Sequence, residues 1–148
     1  VISVDDEAFK RSLTDIIARV EKAAERSVSQ CIFLVERNVK QNFVGQHPPG
    51  TPRPKTSLTG PYKVTGNLVR SVRPDPSAPV RTSVGVYEQS IYPRAVYSRR
   101  IELGFKGTDS LGRNYNQPAY PYFRPGVDDS IPDFETIFLY EWNLAMKG

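Results

Sequence analysis

Residues 5–43 read DDEAFKRSLTDIIARVEKAAERSVSQCIFLVERNVKQNF, and the fold is decided by how they are read. Apolar side chains recur every three or four positions, from Phe9, Leu13, Ile16 and Ile17 through Val20, Ala24, Val28 and Ile32 to Val35, Val39 and Phe43. That period is the signature of an amphipathic helix. No proline or glycine interrupts it, Asp5 can cap its first turn, and Asp6 and Glu7 complement the positive end of the helix dipole. The spacing predicts one helix that ends at Gly45. At ~1.5 Å per residue it extends to roughly 60 Å, more than a compact domain of this size covers. Two outcomes are open: a break near the polar run ERSVSQ (25–30), or an end that projects toward a partner.

Downstream, GQHPPGTPRPKTSLTGPYK (45–63) carries five prolines, which exclude both helix interiors and central strands. It reads as a loop or arm. Its Arg53, Lys55 and Lys63, with no acid among them, suit contact with phosphate or an acidic protein face, or else plain solvation. In APVRTSVGVYE (78–88), Val80, Thr82, Val84 and Val86 alternate with period two and predict a strand. YPRAVYSRRIELG (92–104) fits a short helix closed by Gly104, and 105–119 is turn-rich. Beyond YPYFRPGVDD (120–129), apolar residues at Val127, Ile131, Phe134, Phe138, Trp142 and Ala145 predict a second amphipathic helix. Pro132 either kinks a helix begun at Pro125 or belongs to the first turn of one begun near Ser130. The expected class is α+β. A long N-terminal helix, a small antiparallel sheet of three to four strands with a short helix, and a C-terminal helix make a single domain over 1–148, with a proline-rich arm at 45–63.

With 148 residues and 39% hydrophobic content, the chain can bury one modest core. No apolar run is long enough to span a bilayer and no signal-peptide pattern is present, so a soluble, non-secreted protein is expected. The net charge of +4 is unevenly spread: residues 1–44 balance, 45–100 hold nine bases against two acids, and 101–148 hold seven acids against four bases. Such asymmetry suits polyanion contact or head-to-tail packing of copies.

Reactive groups are scarce. His47 is the only histidine and lies in the proline arm, and Cys31, the only cysteine, falls in the apolar stripe of the first helix. A general base needs an orienting partner, and a structural zinc needs four ligands. Neither set is present, and no glycine-rich phosphate cradle follows a strand. The acids Asp128, Asp129, Asp133 and Glu135 are explained by a helix N-terminus before a hard-cation site is needed. The expectation is a non-enzymatic protein without metal or cofactor.

Three elements in order, TGNLVRS (65–71), RRIELGF (99–105) and YPYFRPGVD (120–128), lie between the two terminal helices. Together they resemble the tail-component family of tailed bacteriophages, the small neck or tail-completion proteins of long-tailed phages. The resemblance rests on Thr65, Gly66, Leu68 and Ser71; on Tyr97, Glu102 and Gly104; and on Pro121, Tyr122, Phe123, Arg124 and Pro125. Phe105 stands where the family often has threonine.

The resemblance implies a structural virion protein at the head-tail junction, present in the host cytoplasm during assembly. It implies a ring, six copies being expected, that joins the DNA-filled head to the tail. Tail terminator and head-closure stopper are the alternative rings, and a sequence-independent nucleic-acid-binding module is a more remote reading. Implied partners are further copies, the connector or stopper, the terminator or tube, and packaged DNA passing without sequence readout. Arg53, Lys55 and Lys63 of the arm are then expected to contact the DNA or a neighbouring ring, and no membrane partner is expected. Within such a ring, the charge split suggests Arg70, Arg99 and Arg100 of one subunit facing Asp128, Asp129, Asp133 and Glu135 of the next. Tyr122 and Phe123 are expected to anchor the proline-flanked strut and its interface, with Arg124 tied to Glu102.

Overall fold

A computed structural model describes residues 6–48, 60–75 and 79–147. Helix α1 (Asp6–Gln41) runs unbroken for 36 residues. The run at 25–30 does not interrupt it, because none of those residues breaks a helix and Ser27 turns its hydroxyl back onto the Ala23 carbonyl at 2.8 Å. In chain order there follow α2 (Asn67–Ser71), β1 (Val72–Pro74), β2 (Val80–Ser83), β3 (Val86–Glu88), β4 (Ile91–Pro93), α3 (Ser98–Leu103), β5 (Phe105–Thr108), β6 (Asn114–Gln117), α4 (Phe123–Asp128) and α5 (Ile131–Lys147). The chain is α+β, with a long helix at one end of the sequence and a helix at the other.

The strands differ from the expected single sheet. Among the described residues they form three separate two-stranded antiparallel ladders, β1–β4, β2–β3 and β5–β6. Each strand has only three or four residues, and β1 and β4 end in Pro74 and Pro93, which offer no N–H to a further strand. The alternating valines of 80–86 are not one strand. Gly85, at φ 72°, folds the chain back between β2 and β3, so the period-two pattern is split across a turn. The turn-rich 105–119 contains the β5–β6 hairpin, whose loop Asp109 organises by accepting N–H bonds from Leu111 (2.9 Å) and Arg113 (3.0 Å). The helix expected over 92–104 is shorter, because Ile91–Pro93 pairs with β1. Gly104, at φ 74°, closes it as expected.

At the C-terminal end the proline stretch forms its own short helix, α4. A fresh start follows at Ile131, with Pro132 in the first turn of α5, so no single kinked helix runs from Pro125. Asp128 therefore ends a helix where it was expected to begin one, and Asp129 follows it. Only Asp133 lies in the first turn of α5.

Two compact units are distinguished: one of Val1–Cys31, Pro76–Gln89 and Pro132–Gly148, the other of Ile32–Asp75 and Ser90–Ile131. In the first, α1 and α5 meet where Gln30 Nε2 donates to Glu141 Oε1, beside the buried Ala23 and Ser27. Glu141 is buried there with a hydrogen-bond partner. The β2–β3 hairpin is tied to α1 by Arg81 Nη2 on Glu21 Oε1 at 2.6 Å.

The second unit holds the larger core. Val35, Val39 and Phe43 come from the helical stripe, Leu68 and Val72 from α2 and β1, and Tyr122 from the proline-flanked strut. The Phe43 and Tyr122 rings lie 4.9 Å apart at 54°. Helix α4 crosses α1 at glycine: a Cβ on Gly126 would lie 2.5 Å from both Cα and N of Val39. Ser130 donates to the Gly126 carbonyl (2.6 Å) and accepts from Asn38 Nδ2 (2.9 Å), while Asn42 Nδ2 donates to the Tyr122 carbonyl (2.9 Å). The two ends of the arm are stitched together. Val44 N–H donates to Pro61 O (3.0 Å), Lys63 N–H to Gly45 O (3.1 Å) and His47 N–H to Lys63 O (3.0 Å).

Candidate functional site

The three sequence elements that carry the family resemblance converge within the second unit. Glu102 on α3 joins the second of them to the third. Its Oε2 accepts the N–H groups of Tyr122 (2.8 Å) and Phe123 (2.9 Å), and its Oε1 accepts that of Arg124 (3.0 Å). The first amides of a helix have no intrahelical acceptor, and Tyr122, at the N-cap of α4, supplies no side-chain cap. A carboxylate from another element fills that role for three donors at once, with charge assistance.

The expected pairing of the Arg124 guanidinium with Glu102 is not made; Arg124 meets Glu102 only through its main-chain N–H. The Arg124 guanidinium is 87% exposed, and its Nε lies 3.8 Å from Asp128 Oδ2. Arg124 lies in the first turn of α4, where its N–H has no intrahelical acceptor and is free to meet Glu102.

Tyr122 is fully buried, which makes it an anchor of this unit and removes it as a partner-facing residue. Burial pushes its phenol well above the usual tyrosine range, and the Glu102 charge adds to the shift. Its hydroxyl makes no hydrogen bond among the described residues, and Ser98 stands near it without hydrogen-bonding geometry. Phe123 is half-buried, and Asp128 and Asp129 are exposed.

The basic residues divide. Arg100 is engaged internally, its guanidinium 4.2 Å from the Phe105 ring centroid and 5.4 Å from that of Tyr115. Stacking on the rings orders the guanidinium while leaving its in-plane N–H groups as donors. Arg99 is exposed. Arg70 Nη2 donates to Thr65 O (3.1 Å) and Asn67 Oδ1 (2.7 Å). Arg70, Arg73 and Arg94 together line a concavity of about 430 Å³ with Asn67, Ser71 and Tyr97. Lys63 is described, and its backbone is pinned at the base of the arm, whereas Arg53 and Lys55 lie outside the described residues.

A second cavity, of about 300 Å³, joins the first two elements. It is lined by Gly66, Leu68 and Val69 on one side and by Tyr97 and Ile101 on the other, with His47 at its edge. The His47 ring packs 5.2 Å from that of Tyr62, and its Nδ1 lies 3.0 Å from Pro48 O. The Cys31 thiol is raised by burial, which lowers its thiolate fraction. Among the described residues no group of three His, Cys, Asp or Glu side chains is placed to hold a metal ion, and no helix is long and apolar enough to cross a membrane.

The first unit shows what the sequence reading missed. Along α1 the stripe of Phe9, Leu13, Ile16 and Ile17 stays open, with Phe9 59% and Ile17 51% exposed. On α5, Phe138, Leu139, Tyr140, Trp142, Leu144 and Met146 are also exposed, Tyr140 at 60%. Periodicity shows that a face is apolar but not whether its own chain covers it. Arg73 and Arg94 were missed for a related reason, since only the β1–β4 pairing brings them together.

No family model, no curated protein and no solved structure matches this chain.

Proposed function

We propose that the chain is a non-enzymatic structural subunit of a tailed-phage neck or tail end, one copy of a ring that joins the DNA-filled head to the tail. The observation that carries this reading is the apolar surface of the first unit. Its described residues bury only Ala23, Ser27 and Glu141, while α1 and α5 leave at least ten large apolar side chains open. Consecutive positions 138, 139 and 140 point ~100° apart around a helix, so α5 is apolar on more than one side. A helix of that kind is stable when other helices surround it. Patches of this extent mark assembly surfaces, and closed rings of identical copies are a common way to cover them. The contacts among the three family-like elements add support: Glu102 joins the second to the third, and a shared cavity lies between the first and the second.

Stopping expression in the phage that encodes the chain and imaging the lysate tests the reading. Filled heads beside unattached tails are expected. Overlong or irregular tails would assign a terminator role instead, and normal virions would overturn the proposal.

A further inference from the structure

Three arginines surround one concavity in the second unit without a carboxylate to balance them. We infer that Arg70, Arg73 and Arg94 form a binding site for the backbone phosphates of nucleic acid. This deepens the neck reading and rests on it for the source of the phosphates, the packaged DNA. The chemistry of the site stands on the residues themselves.

The ladder sets the geometry. Arg73 in β1 lies opposite Tyr92 in β4, and Arg94 is two residues beyond Tyr92, its N–H held by Ser71 O at 3.1 Å. Residues two apart on a strand share a face, so Arg73 and Arg94 are diagonal neighbours, ~7–8 Å apart at the backbone. That spacing lets two guanidiniums meet successive phosphates of one strand, where a single carboxylate could satisfy only one of them.

Each arginine is also held in place. Arg70 is fixed by Thr65 and Asn67, Arg73 Nε donates to Arg70 O at 3.2 Å, and the Arg94 guanidinium sits 5.2 Å over the Tyr92 ring. Side chains ordered before binding lose less entropy when the anion arrives. Arg73 keeps both terminal nitrogens available for bidentate contact.

Among the described residues Arg70, Arg73 and Arg94 have no carboxylate within 4 Å, unlike Arg81, Arg113 and Arg124, which meet Glu21, Asp109 and Asp128. Other arginines are unpaired as well, but these three line one concavity that has no acid in its lining. Gathered like charges repel, and an anion between them relieves that cost. The exposed rings of Tyr92 and Tyr97 beside the cluster suit sugars and bases more than an acidic protein face.

The test is fluorescence anisotropy of a labelled duplex of about 20 base pairs with the purified full chain, over roughly 50–200 mM salt. The expected affinity falls linearly with salt on logarithmic axes. R73Q/R94Q should bind roughly 30- to 100-fold more weakly at ~0.1 M salt, because each lost phosphate contact removes about 0.9 of a decade there, and its salt slope should be shallower by about two. R11Q/K106Q removes the same charge from exposed residues outside the concavity and should bind nearly as the parent does. R73K/R94K should restore most of the affinity. Unchanged melting of each variant shows that the fold persists.

Equal weakening by the two glutamine pairs would overturn the site, as would an absence of duplex binding at the lowest salt. So would an R73Q/R94Q variant that binds DNA normally but no longer self-associates, since the partner would then be an acidic protein face. Duplex binding lost in R73Q/R94Q alone, together with normal virions in the phage lacking the gene, would sink the neck reading and leave the site standing.

Discussion

Replacing Glu102 by alanine tests the joint of the second unit most directly. The carboxylate accepts three main-chain N–H groups at 2.8, 2.9 and 3.0 Å. Those of Tyr122 and Phe123 are part-buried, and a buried amide left unpaired costs about 1–3 kcal/mol. The Arg124 N–H is exposed and can turn to water at little cost. Glu102 is itself half-buried, so removing it recovers part of its own desolvation. The net loss should be about 2–4 kcal/mol, or roughly 5–15 °C in Tm for a chain of this length. Glutamine keeps an acceptor oxygen but loses the charge, so E102Q should lose about half as much.

Urea unfolding measures the total, and amide hydrogen exchange localises it. In E102A, exchange at Tyr122 and Phe123 should accelerate at least tenfold, while amides in the β5–β6 hairpin keep their rates. Unchanged protection at Tyr122 and Phe123, whatever the change in Tm, would refute the capping role.

Two further substitutions probe the same core. Gly126→Ala should destabilise by about 1–3 kcal/mol despite the better helix propensity of alanine, because its methyl would lie 2.5 Å from the Val39 backbone, which has no rotamer to yield; a urea midpoint equal to that of the parent would refute the close crossing. Tyr122→Phe should stay within about 1 kcal/mol of the parent near neutral pH, since the hydroxyl it removes has no hydrogen bond among the described residues. At alkaline pH the two should diverge. The raised folded-state value means that the Tyr122 proton contributes stability fully below the ordinary tyrosine value near ~10, and that this contribution is lost as pH rises above it. Equal losses of parent and Y122F between pH ~8 and ~11 would count against this linkage.

The long helix was legible in the sequence because its signal is strictly local. Period, absence of breakers and terminal acids all lie within one segment, and α1 has the expected extent to within a few residues. The sheet was less legible. Val80 to Val86 obey the alternation of a strand, yet the conformational freedom of Gly85 outweighs the pattern and makes a hairpin. Pro74 and Pro93 carried a usable signal, since a proline at the end of each short strand argues against recruiting a third.

At the candidate site the sequence brought Glu102 and Arg124 together but through the guanidinium, whereas the structure uses the main-chain N–H. The difference arises because residues 122–124 open a helix whose first amides need an acceptor, and that helix start was expected later. The pairing of Arg73 with Arg94 depends on ladder register, to which neither local sequence points.

The stitched base of the proline arm has an evolutionary consequence. Residues 44–47 and 61–63 clasp one another through backbone hydrogen bonds, so the clasp rests on main-chain groups that any residue but proline can supply. Doubling the length of a loop closed in this way costs only ~0.6 kcal/mol of closure entropy. Changes of length between the two clasped segments are therefore cheap in closure entropy, and the clasp beside Phe43 can hold while the partners of a neck protein change.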